Sequence, residues 1–159
     1  MNTDGASTKN PIKASAGGIF RNCVGECLGC FFQFIVSKDA LHVELVAAMI
    51  AIEIAYLKGF QNVWLESDSQ LVNLAFKLNS VVPWCLKNSW QNCLFRLRNM
   101  RLVVSHIYRE GNACVDSLPN LGLSCTSSEL FWSDNIPDVI RGEYIRNRLG
   151  RPNFRFNTF

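Results

Sequence analysis

Four acidic residues stand out by where they fall: Asp4, Glu44, Asp68 and Asp116. Glu44 has Ala40, Leu41, Ala47 and Ala48 as its neighbours at helical spacing, all apolar. An ionised carboxylate in such a setting is costly unless it is paired or binds a metal. Asp68 directly follows the strand-like run VWLE (Val63 to Glu66), and ligands of open α/β sheets collect at the carboxyl ends of strands. Asp116 falls in the first turn of a helix that begins after Asn112, and Asp4 lies in TDGAS near the start of the chain. Each has an ordinary alternative. Glu44 would reach solvent from a helix end, Asp68 would cap the next helix, Asp116 would answer a helix dipole, and Asp4-Gly5 would be a turn. Together they share one kind of place, a strand end or the start of a helix facing one. Hard carboxylate oxygens without a cysteine or histidine cluster suit magnesium. Two such ions, about 3.5–4 Å apart, clamp an attacking water and a leaving oxygen when several separate elements supply the ligands.

Those acids need a frame. The chain has 159 residues, enough for one domain with a sizeable core. An apolar content of 48% with both charge signs is globular rather than disordered. The net charge of +3 excludes a polycation, so attraction to nucleic acid would need a local patch. No apolar run approaches the roughly 20 residues of a membrane span, and the start MNTDGASTKNP has no secretory character. Seven scattered cysteines then imply free thiols in a reducing, intracellular compartment, with nucleus and cytoplasm undistinguished. Cys23, Cys27 and Cys30 raise zinc. With only His42 and His106 as histidines and no second close cysteine pair, the four ligands of a closed site are not at hand.

The elements read as follows. Thr8 to Ala14 looks like a loop, Gly17 to Arg21 a strand, Asn22 to Glu26 a turn and Cys27 to Val36 a second strand of a hairpin. Leu41 to Leu57 is apolar around most of a helical wheel and should be a buried helix ended by Lys58-Gly59. Val63 to Glu66 is a strand, and Ser67-Asp68-Ser69 caps a helix through about Leu78. Pro83 opens a helix through about Asn99, Leu102 to Ile107 is a strand, and Asn112 caps a last helix. The order gives an α/β fold on a mixed sheet, an antiparallel meander first and parallel strands later.

The segments TDGAS, HVELVAAMIAIEIA, LESDSQLV and VSHIYREGNACVDSL resemble, in that order, the ribonuclease H type 1 family, and most closely the ribonuclease-H-like domains of plants related to those of retroelement reverse transcriptases. The resemblance implies a ribonuclease H-like fold with a mixed five-stranded sheet flanked by helices. It implies a domain over 1–123, its first strand shortened at the start, and an aromatic and basic extension over 124–159. It also implies Asp4, Glu44, Asp68 and Asp116 as ligands of two Mg2+ ions, with Mn2+ as a substitute. The substrate would be an RNA–DNA hybrid, cut in the RNA strand to leave a 5′-phosphate and a 3′-hydroxyl by a monomer free of membranes. His106 would assist product release. The backbone of Gly5, Ala6 and Ser7 would meet the 2′-hydroxyl that DNA lacks, Ser69 and Gln70 would offer N–H groups to phosphate, and Arg109 and Asn112 of the REGN run would face the substrate.

Two features depart from the family pattern. Met1 stands three residues before Asp4, and Pro119 falls inside the last helix, where it costs around 3 kcal/mol or ends the helix early. A degenerate retroelement-derived domain that only binds nucleic acid, or a protein-interaction module, is the competing reading. In the extension, Arg141, Arg146, Arg148, Arg151 and Arg155 alternate with Tyr144, Phe154 and Phe156. Such residues suit phosphate contacts and base stacking, or a segment laid across the domain with its arginines in water.

Overall fold

The computed structural model describes residues 1–9, 12–36 and 39–150. Strand β1 (Asn2–Lys9), β2 (Ile12–Arg21) and β3 (Cys27–Ile35) form the meander. Helix α1 (Ala40–Leu57) leads to β4 (Asn62–Ser67), and α2 (Gln70–Lys77) and α3 (Lys87–Leu97) lead to β5 (Arg101–His106). Two short helices, α4 (Ala113–Asp116) and α5 (Leu118–Leu123), precede β6 (Phe131–Ser133) and α6 (Asp138–Arg148). Among the described residues the sheet has six strands, in the order β5-β4-β1-β2-β3-β6. β1 is therefore central, antiparallel to β2 and parallel to β4.

Alternation along β2 builds two cores. Phe20 joins Phe31, Ala51, Ile54, Ala55 and Val63 on the α1 face. Ile19 joins Cys30, Val115, Leu118, Ile140 and Tyr144 on the other. A third cluster seats α1 against α2 and α3 through Leu45, Ala48, Ile52, Val72, Ala75 and Trp90. Helix α1 is buried on most sides, as its composition requires. It ends where Gly59 takes φ +74°, and the Phe60 N–H bonds back to the Ala55 carbonyl.

Several expectations need correction. The stretch read as a loop from Thr8 to Ala14 is strand wherever it is described: β1 runs to Lys9 and β2 starts at Ile12. Lys9 pairs with Ile12 and Thr8 with Lys13 in an exposed ribbon, where polar residues cost nothing and so hide the strand pattern. Pro83 opens a single 3-10 turn (Trp84–Leu86), and the helix proper starts at Lys87. Pro119 does end the helix early, between Asp116 and Leu118, but the chain restarts at once with proline in the first turn of α5. A proline N–H is not needed there. The sheet has a sixth strand, because Phe131–Ser133 pairs with β3 and Phe131 stacks on Phe32 at 4.5 Å. Helix α6 buries Ile140 and Tyr144. The Tyr144 hydroxyl accepts from the Cys27 N–H and donates to the Gly25 carbonyl.

Candidate active site

Parallel pairing brings the first two acids together. Thr3 is level with Ser67 in the β1–β4 register, so Asp4 and Asp68 each directly follow the last paired residue of their strands. Glu44 arrives from α1, which can sit this close to β1 because residue 5 is glycine. A Cβ on Gly5 would stand 2.6 Å from Val43 Cγ1 and 3.1 Å from the Glu44 backbone nitrogen. Asp4, Glu44 and Asp68 each offer an oxygen within 4.8 Å of the others, the one such group of metal-ligating side chains among the described residues. No described cysteine joins such a cluster. Asp116, at the end of α4, is not one of these three, yet its charge is near enough to act on Asp4.

The electrostatics follow from crowding. Burial, then the charges of Asp68 and Asp116, push the Asp4 carboxyl up from 3.8 to about 7. Burial, then Asp4 and Asp68, push Glu44 up from 4.5 to about 8. The Gly5 backbone N–H donates to both and offsets this only in part. Glu44 Oε2 and Asp68 Oδ1 are buried with no hydrogen-bond partner among the described residues. Buried acceptors are seldom left so. Three convergent hard oxygens, two groups that resist ionisation and two unpartnered atoms fit a divalent cation.

This arrangement has a testable cost. In the folded chain Asp4 and Glu44 hold protons that the unfolded chain has already released. Stability therefore falls as pH rises from the ordinary carboxylate range through about 7 for Asp4 and about 8 for Glu44. Denaturant midpoints in a chelator should decline between about pH 5 and pH 8.5, and the decline should shrink in Asp4→Asn. A midpoint that rises over this window contradicts the electrostatic account.

The remaining candidates lie around this cluster, in different roles. His106 closes β5, with Nε2 3.2 Å from the Asp68 carbonyl oxygen, and Tyr108 packs edge-on against its ring. It belongs to a strand end, not to a loop. Arg109 is exposed and its Nε is 3.5 Å from Asp68 Oδ2. Ser69 caps α2 by accepting from the Val72 N–H, and Gln70 is exposed beside it. Ala6 is half-buried and Ser7 exposed. Asn112 was expected as a helix cap facing substrate. It makes no cap bond and is 2% exposed. Its amide donates to the Thr3 carbonyl and its side-chain oxygen accepts from Asn2. It ties the 3-10 turn before α4 (Arg109–Asn112) to β1 and so links Asp116 to the strand that carries Asp4. Asn2 had drawn no notice, and a contact across 110 residues leaves no local sequence signal. Arg141, Arg146 and Arg148 pair with Asp138, Glu143 and Glu26 on the surface. Arg151, Arg155, Phe154 and Phe156 lie outside the described residues.

The chain resembles known proteins in sequence and fold. The reverse transcriptase-like family model matches residues 2–122. A protein of Arabidopsis thaliana named for ribonuclease H is 34% identical over 152 residues, which cover 94% of this chain and 24% of that protein. The chain thus spans about a quarter of that relative's length. Ribonuclease H1 of Halobacterium salinarum superposes with a TM-score of 0.68 at 26% identity, covering 77% of this chain and 94% of that one. LC11 ribonuclease H1, solved in complex with an RNA/DNA hybrid, superposes with a TM-score of 0.67 at 24% identity, covering 77% and 94%.

Proposed function

The chain belongs to the reverse transcriptase-like family and has a ribonuclease H fold, and from that premise we propose that it is a divalent-metal-dependent endonuclease cutting the RNA strand of RNA–DNA hybrids. One observation carries the reading: three carboxylates from separate elements converge within 4.8 Å at a strand end, with two buried oxygens unpartnered among the described residues. Asp4, Glu44 and Asp68 would hold Mg2+, or Mn2+ in its place, with Asp116 completing the set. Bound cations supply Lewis-acid activation of water and stabilise the departing oxygen.

The chain's own residues do the rest. Asp4 and Asp68 each follow the paired ends Thr3 and Ser67 of β1 and β4, and the close approach at Gly5 brings Glu44 beside them. Such fixed geometry removes reorganisation from the chemical step. Among the described residues β1 has no ladder partner beyond Thr3 on its β4 side, so the backbone of Gly5 to Ser7 is the candidate contact for a 2′-hydroxyl. Arg109, exposed beside Asp68, offers positive charge to the scissile strand's phosphates.

His106 is exposed and reaches the site through the Asp68 carbonyl rather than the carboxylates. His106→Ala should therefore slow turnover several-fold while single-turnover cleavage changes less. Equal losses in both would remove it from product release.

Product analysis tests the function. With an RNA–DNA hybrid labelled on either strand and magnesium present, the RNA strand alone should shorten and its new ends should be 5′-phosphate and 3′-hydroxyl. Cleavage of both strands, or of a DNA duplex at the same rate, would overturn the reading.

A further inference from the structure

A second group of reactive side chains lies outside the carboxylate cluster. His42 and Cys85 are 43 residues apart in the chain, yet His42 Nε2 stands 2.8 Å from Cys85 Sγ. On the other side of the ring, Nδ1 is 3.5 Å from Asp39 Oδ2. Thiol, imidazole and carboxylate therefore stand in a row, with one partner at each ring nitrogen. The row does not gather its atoms around a single point. Among the described residues, only Asp4, Glu44 and Asp68 bring three ligand atoms together in that way. The row is built to pass a proton rather than to hold an ion.

The fold holds each member in place. Asp39 stands just before α1, and its carbonyl accepts from the Val43 N–H. His42 lies in the first turn of that helix. Cys85 lies in the 3-10 turn Trp84–Leu86 that leads into α3. Packing of α1 on α3 through Leu45, Ala48 and Trp90 sets the two helices together. His42 Nδ1 is buried with no hydrogen-bond partner among the described residues, so a small movement of the Asp39 carboxylate completes the row. Cys85 itself is exposed, and Trp84 beside it is 86% exposed, so the turn is open to a peptide-sized reagent. A nucleophile within reach of a base that a third group orients is the arrangement of an activated thiol. Cys93, the nearest cysteine in the chain, is buried in the core between α1 and α3 and offers no accessible thiol to displace an adduct.

We propose that Cys85 is a modification site for small disulfides of the glutathione class, with His42 and Asp39 as the groups that activate it. The Cys85 sulfur attacks one sulfur of the incoming disulfide. Its proton passes to His42 Nε2 as the new S–S bond forms. The old S–S bond breaks, and the departing sulfur takes that proton. One thiol and one disulfide enter, and one mixed disulfide and one thiol leave, so no further oxidant is required. The adduct stands at the first turn of the helix that carries Glu44, but the exchange itself uses none of the four acids. It therefore stands or falls independently of hybrid cleavage.

The probe is oxidised glutathione, added to the full reduced chain at pH 7, quenched with acid and followed by mass spectrometry with peptide mapping. Cys23, in the turn between β2 and β3, is the internal reference, because it too is exposed. Cys85 should gain its glutathionyl group at least tenfold faster than Cys23, and dithiothreitol should remove it. His42→Gln should bring Cys85 down to the rate of Cys23, and Asp39→Asn, at an exposed position, should slow it several-fold, both with unchanged circular dichroism. In urea the two cysteines of the parent chain should react alike, since only the fold assembles the row. Equal rates for Cys85 and Cys23 in the folded chain would overturn the proposal. So would a fast Cys85 that persists in His42→Gln or in urea.

Discussion

Asp68→Asn should reduce hybrid cleavage at least several hundredfold, roughly 3–4 kcal/mol in the barrier, with circular dichroism unchanged. The residue directly follows β4, and its carboxylate lies within ligand reach of both Asp4 and Glu44. The substitution is nearly isosteric and removes the charge that helps raise both neighbours. Stability in a chelator at about pH 8 should therefore rise while activity collapses. That opposite movement separates a ligand from a residue that merely supports the fold. Near-full magnesium-dependent activity in this variant would end the carboxylate account.

Gly5→Ala should also be damaging, by another route. The added methyl would meet Val43 Cγ1 at 2.6 Å, the Val43 carbonyl carbon at 3.0 Å and the Glu44 nitrogen at 3.1 Å. A side-chain methyl can turn aside, but helix backbone cannot. Strand and helix must separate by a few tenths of an ångström, at about 1–3 kcal/mol of overpacking. Glu44 would move away from Asp4 with its helix, and metal affinity and cleavage should each drop at least tenfold. Gly142→Ala is the control: among the described residues nothing lies within 4 Å of a Cβ placed there, and in a helix the change should be neutral or slightly stabilising. Parent-like cleavage by Gly5→Ala would mean that Glu44 is not positioned by this contact.

The elements that position the site were largely legible in the sequence, because each is set by local pattern. The apolar wheel of α1, the strand-then-cap run at Ser67 to Ser69 and the hairpin turn at Asn22 to Glu26 all form where their residues require. The acids could be singled out for the same reason, since Glu44 among alanines and Asp68 after VWLE are local anomalies. Features that depend on register or distant partners could not be read. The Asn2–Asn112 tie spans 110 residues, and it converts an apparent helix cap into a buried strut. β6 is three residues long and stable only against β3. The outer ends of β1 and β2 looked like a loop because their side chains face water on an exposed ribbon. Pro119 looked like a defect, but it packs over Gly17, where a Cβ would stand 2.8 Å from its Cδ. Only the fold reveals that α5 needs a glycine in the strand beneath it.

The central claim is that Asp4, Glu44 and Asp68 form one divalent-cation centre, and calorimetric titration of Mg2+ into the chelator-treated protein tests it most directly. With Asp4 at about 7 and Glu44 at about 8 before metal enters, binding at neutral pH must expel protons. Heats measured in two buffers of different ionisation enthalpy should reveal saturable binding with net proton release. The release should shrink toward pH 9, and Asp4→Asn/Glu44→Gln should abolish both binding and release. Saturable binding that survives in the neutralised variant, or binding at pH 7 without proton release, would contradict the account.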